Sequence, residues 1–116
     1  MQLSQAEITQ HNSKQSSQQL SQQYLISGVV DFSTVPGLLR QAKIFCAAEK
    51  TSDDKKMVID LSQVEECNSA ALALMLEIIK SAQQNNVSIH FKNLPSTLLT
   101  IAKAYGIEDE IREFCQ

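Results

Sequence analysis

Hydrophobic and polar positions along this chain follow two periods. Met57-Val58-Ile59 is an uninterrupted apolar run, the pattern of a covered central strand. The polar stretch from Asp60 to Asn68 reads as a turn. Ser69 then opens Ala70-Ala71-Leu72-Ala73-Leu74-Met75-Leu76, a strong helix-forming run expected to continue to about Gln84. Upstream, Leu20–Val30 reads as a strand that Asp31-Phe32-Ser33 ends. Ser33 or Thr34 can cap a helix from Val35 to about Lys50, with Pro36 tolerated in its first turn. Downstream, Val87, Ile89 and Phe91 alternate on one side of a short strand. Asn93-Leu94-Pro95 turns the chain into a third helix, capped by Ser96 and stopped at Gly106, with Leu98, Leu99, Ile101, Ala102 and Tyr105 as its apolar stripe. Ile107 to Phe114 holds a short final strand or helix.

Strands separated by helices of this length predict an α/β domain with a parallel or mixed sheet. At 116 residues the chain is expected to be one domain. Residues 1–19 form a Gln/Ser-rich segment in which Ala6–His11, around Ile8, can supply a first strand; residues 20–116 are read as the domain proper.

Composition narrows the function classes. A net charge of −3 and no basic stripe with interleaved aromatics argue against a nucleic-acid partner. No apolar stretch approaches the roughly 20 residues of a membrane span, and no charged start with an apolar run marks a signal peptide. The expectation is a soluble, reduced, cytoplasmic chain with no direct membrane insertion. Cys46, Cys67 and Cys115 are odd in number and form no CxxC, which argues against a disulfide framework and against zinc.

The chemistry centres on Ser69. A serine at a helix start sits among unpaired N–H groups at the positive end of the helix dipole, where a phosphate or a hydrogen-bonding partner is easily accommodated. As an acyl-transfer nucleophile it would need a base and an oxyanion hole. The chain has only His11 and His90, and no GxSxG elbow. Gly28, Gly37 and Gly106 are isolated, so no phosphate-binding glycine loop forms. These features predict no catalytic residue, no cofactor and no metal. The plain alternative for Ser69 is an ordinary helix cap, worth about 1 kcal/mol. Glu65, Glu66 and Asp60 read as loop solvation, and Cys67 as a small packed side chain. In the second helix, Leu72, Leu74, Met75, Leu76, Ile78 and Ile79 exceed the roughly 100° apolar arc that one packed face needs. Most of the excess packs on neighbouring helices. The remainder is a docking surface near Ser69, with Met75 as its adaptable member and Glu77, Lys80, Ser81 and Gln84 on the polar side.

Asp60-Leu61-Ser62, Val64, Asn68-Ser69 and Ala71-Leu72-Ala73 together resemble the signature of STAS domains, and the resemblance runs from about Tyr24 to Ile111. It implies a STAS-like sheet of four or five strands, mixed in direction and flanked by helices. The family includes anti-sigma factor antagonists and a small subunit of bacterial lipid ABC transporters. The chain resembles that subunit in Asp60-Leu61-Ser62-Gln63-Val64, in Ala71-Leu72-Ala73-Leu74-Met75-Leu76, and in Leu99-x-x-Ala102-Lys103-x-Tyr105. The resemblance implies a non-catalytic accessory subunit of a phospholipid transporter of the Mla type, which maintains outer-membrane lipid asymmetry. Its partner would be the ATPase subunit and, through it, the inner-membrane permease, leaving the chain peripheral to that membrane. Ser69 matches the position that faces the ATPase in that branch. The implied contacts are Asn68, Ser69, Ala71, Leu72 and Met75, with Lys103 and Tyr105 as an adjoining rim. The alternative is an anti-sigma factor antagonist whose kinase partner phosphorylates Ser69. Antagonists usually carry Asp before that serine and a Ser/Thr-Gly pair after it; here those positions are Asn68, Ala70 and Ala71.

Overall fold

The computed structural model describes residues 5–11, 21–49 and 56–115. The elements are β1 (Ala6–His11), β2 (Ser21–Val30), α1 (Val35–Glu49), β3 (Lys56–Cys67), α2 (Ser69–Gln84), β4 (Ser88–Lys92), α3 (Ser96–Ala104) and α4 (Glu108–Arg112). The four strands make one sheet in the order β1-β2-β3-β4. β1 runs antiparallel to β2, while β2, β3 and β4 are parallel. The sheet is mixed and flanked by helices, as expected.

Both parallel crossovers step the same way across the sheet. Right-handed connections therefore put α1 and α2 on the same face. Burial follows this asymmetry. Ile8, Tyr24, Ile26, Met57, Ile59, Leu61, Ile89 and Phe91 form one core with Leu38, Ala42 and Cys46 of α1, Leu74 and Ile78 of α2, and Leu98 and Ala102 of α3. The alternate strand positions Leu25, Asp60, His90 and Lys92 lie on the other face and are half-buried. Val58 shares that second face yet is 2% exposed.

β3 corrects the sequence reading. Asp60–Asn68 was expected to be a turn, but the strand continues to Cys67. Its register against β2 shifts twice: Leu25 pairs Asp60 while Ser27 pairs Gln63, and Gly28 pairs Val64 while Val29 pairs Glu66. Each shift inserts one extra residue in β3, a bulge. Inward positions then fall at Leu61, Val64 and Cys67, a spacing of three that mimics no strand pattern. At the same place Gly28 adopts φ +95°, and a Cβ there would collide with the Gln5 carbonyl and come within 2.8 Å of Ala6 Cα.

The helix ends follow from local chemistry. Asn86 (φ 58°) and Gly106 (φ 74°) take the left-handed conformation that closes α2 and α3. The amide of Val87 donates to Ala82 O at 2.8 Å and that of Ile107 to Ala102 O at 2.9 Å, the bonding pattern of a Schellman stop. Ser96 was expected to cap α3; it is instead the first helical residue, and Pro95 holds the cap position without a side-chain bond. Pro95 fixes a backbone of φ −59°, ψ 141° that leads into the helix. Of the two forms expected for Ile107–Phe114 the segment takes the helix, α4, and a single isolated bridge then joins Cys115 to Phe91.

The carboxyl edge of the sheet as candidate docking site

β2, β3 and β4 each hand over to a helix at the same edge of the sheet. Open α/β sheets place ligands and partners outside the carboxyl ends of their strands. Three turns meet here: residues 31–34 before α1, residue 68 before α2, and residues 93–95 before α3.

Asn68 is the cap of α2. Its backbone is extended (φ −134°, ψ −163°), and its side chain accepts the Ala70 amide at 2.8 Å. This corrects the reading of Ser69 as the cap. Ser69 is the first helical residue, half-buried, and its hydroxyl has no hydrogen-bond partner among the described residues. The cap requirement is met without it, which leaves the hydroxyl available.

The other expected contacts divide. Ala71, Leu72 and Met75 are 4%, 4% and 2% exposed and belong to the core, so their side chains face the sheet and the other helices rather than a partner. Ser81, expected on the polar side, is also buried. The solvent stripe of α2 starts at the half-buried Ser69 and runs through the exposed Ala73, Leu76, Glu77 and Lys80. Leu76, 43% exposed, and not Met75 is the large apolar residue that α2 presents to solvent. Lys103 and Tyr105 are exposed, but they sit at the far end of α3, roughly 12 Å from its start. They do not share the edge that holds Ser69. A surface that joins them to Ser69 has to run along the helices past Ala73 and Leu76.

Phe32, which sequence reasoning treated only as the end of a strand, stands at this edge 73% exposed. Its turn is rigid. The Asp31 carboxylate accepts the amides of Ser33 (2.9 Å) and Thr34 (3.2 Å) and the Ser33 hydroxyl (2.6 Å). The Thr34 hydroxyl accepts the Asp31 amide and donates to Val29 O at 2.9 Å. An aromatic residue between Asp and Ser turn formers was the signal in the sequence. Between this turn and the starts of α2 and α3 lies a cleft bordered by Asp31, Glu65, Glu66, Asn68 and Thr97.

Elsewhere, Asp60 Oδ1 accepts Asn93 Nδ2 at 3.0 Å and the Ser62 amide at 2.8 Å. Partial burial pushes the Asp60 carboxyl up, but these bonds and the Lys92 charge outweigh it and hold the group below its ordinary value. Burial pushes the Cys67 thiol up, away from the reactive thiolate. His90 pairs with Val58, nine residues before Cys67 on β3, so about 25 Å of strand separates it from the start of α2. That distance removes it as a base for Ser69. An apolar cavity between Ile26, Leu61, Met75, Phe91 and Leu98 has about 20 Å³ of free space, room for one water at most, so it is a packing gap rather than a ligand pocket. Among the described residues, no cluster of His, Cys, Asp and Glu has the makings of a metal site, and no helix is long and apolar enough to cross a membrane.

The family described as "Mlab, STAS domain" matches residues 14–113. A curated relative, the intermembrane phospholipid transport system binding protein MlaB of Haemophilus influenzae, is 28% identical over 87 residues, covering 75% of this chain and 82% of its own. Two solved structures share the fold. An anti-sigma factor antagonist from Mycobacterium paratuberculosis superposes with a TM-score of 0.68 at 16% identity, covering 91% of this chain and 82% of its own. The anti-sigma factor antagonist SpoIIAA in its unphosphorylated form superposes at 0.62 and 9% identity, covering 94% and 85%. This chain belongs to the STAS family and is MlaB-like within it.

Proposed function

We propose that this STAS domain is a non-catalytic accessory subunit of a phospholipid ABC transporter, docking on the ATPase subunit to support assembly or activity. The observation that carries the reading is the likeness to MlaB over three quarters of the chain. The site chemistry agrees with binding. Ser69 offers a small, unengaged hydroxyl at the head of a stripe that continues through Ala73 and Leu76. A small side chain at the half-buried Ser69 position accommodates a close-packed partner, and a charge there would be desolvated by it. In this reading the chain stays in the cytoplasm and reaches the inner membrane through the ATPase and its permease.

The second reading, a phosphorylation-controlled antagonist, draws on the shared fold and on the same free hydroxyl. A phosphate on Ser69 would add roughly −1.5 to −2 charge to that surface.

Affinity purification of the tagged chain from its native host, with mass spectrometry of its companions, separates the two. Recovery of an ABC ATPase and a permease is the expected result. Recovery of a small kinase-like anti-sigma factor, with a phosphate mass on the chain that Ser69→Ala removes, would overturn it.

A further inference from the structure

We propose that the outer edge of β1 pairs with the same strand of a second copy of this chain, joining two sheets into one across a two-fold axis. This pairing is independent of the ATPase reading, because Ser69 follows β3 and β1 lies two strands away from it.

β1 is an open ladder. The Val29 amide donates to Gln5 O at 2.8 Å, and β1 continues from there against β2 in one unbroken antiparallel register. Bonding groups alternate along such a pair. Glu7 and Thr9 therefore bond to β2, as Gln5 does, while Ala6, Ile8 and Gln10 turn their N–H and C=O groups away from the sheet. Among the described residues these groups meet no partner. The opposite edge of the sheet is sealed by the chain itself: the Phe91 amide of β4 donates to Phe114 O at 2.6 Å, and Cys115 bridges Phe91. β1 also lacks the usual guards of an exposed edge. It has no Lys, no Pro and no bulge against β2, and it carries the β-branched Ile8 and Thr9.

Self-complementarity selects the occupant. With the two-fold at Ile8, Ile8 bonds its own counterpart and Ala6 bonds Gln10 of the second copy, so every outward backbone group of the strand is used. On the core side Ile8, 7% exposed, lies beside the second Ile8 and carries the apolar layer across the axis. On the other face the exposed Glu7 falls opposite the exposed Thr9 of the second copy, so the strand's one carboxylate does not meet its like. A two-fold at Glu7 would set the carboxylates against each other. A two-fold at Thr9 would leave Ala6 without a partner.

Sedimentation velocity of the full chain, over about a hundredfold range of concentration, reads the association. Wild type should pass from monomer to dimer as concentration rises. Gln10→Pro should stay monomeric, because it deletes an outward N–H and spares the ladder to β2. Thr9→Lys places a cation opposite Glu7 at two symmetric points and should tighten the dimer about tenfold; Thr9→Glu should weaken it by a similar factor. Thr9 is exposed, so both of its variants should fold as wild type does by circular dichroism, and they decide the question even if Gln10→Pro fails to fold. A wild type that stays monomeric throughout, or a dimer indifferent to these substitutions, would overturn the proposal. Weaker association in both Thr9 variants would move the two-fold off Ile8 and overturn this pairing. A chain that is monomeric alone, yet binds purified ATPase in a way that Gln10→Pro abolishes, would give the edge to a strand of the ATPase instead of a second copy.

Discussion

The Asn68 side chain accepts the Ala70 amide, so Asn68→Ala should cost about 1 kcal/mol of stability, while Ser69→Ala should cost a few tenths at most. Chemical denaturation checks the contrast, and equal losses would return the cap to Ser69. Gly28 holds φ +95° with the Gln5 carbonyl where a Cβ would be, so Gly28→Ala should destabilise by about 2 kcal/mol or more through strain and collision. Asp60 gives a pH signature. Its folded pKa lies below its unfolded value near 4, so its stabilisation is fully present above that value and is lost as pH falls through the lower, folded pKa. Asp60→Asn should therefore be less stable than wild type at pH 7 and converge on it as pH falls through the folded pKa in urea titrations. A pH-independent gap would mean that the carboxylate charge contributes nothing.

At the level of elements, helices were easier to read than the central strand. α2 begins at Ser69 and ends at Gln84, where the sequence placed it, because its apolar residues recur over four turns and Asn85 and Asn86 suit the stop. The second half of β3 was not legible, because two bulges turn an inward spacing of two into a spacing of three among Gln, Glu and Ser residues. Met75 failed as a surface position for a related reason. The wide apolar arc of α2 faces the sheet, α1 and α3 at once, which composition does not reveal. The extension of β3 is testable: Leu61→Ala should cost about 2–4 kcal/mol as a core position, while Ser62→Ala, on the exposed side, should be within about 0.5 kcal/mol of wild type. Similar small effects at both would restore the turn.

Across the whole molecule, the fold puts every α-helix start that follows a parallel strand at one edge and the polar sheet face opposite the helices. Ser69 and Phe32 come from separate strand–helix junctions, yet they share that edge, while Lys103 and Tyr105 lie away from it at the far end of α3. Ser69 was found in the sequence because its motif spans one strand–helix junction. Phe32 was missed because only the pairing of β2 with β3, Val30 against Cys67, brings its turn to the same place. Ser69 is the centre of the proposed interface with the ATPase. The most direct test is calorimetric titration of purified ATPase with wild type and Ser69→Glu. A carboxylate in the first turn suits the helix dipole, so the variant should fold as wild type does by circular dichroism. Loss of measurable binding in a folded Ser69→Glu is the predicted result. Full wild-type affinity in that folded variant would contradict the account.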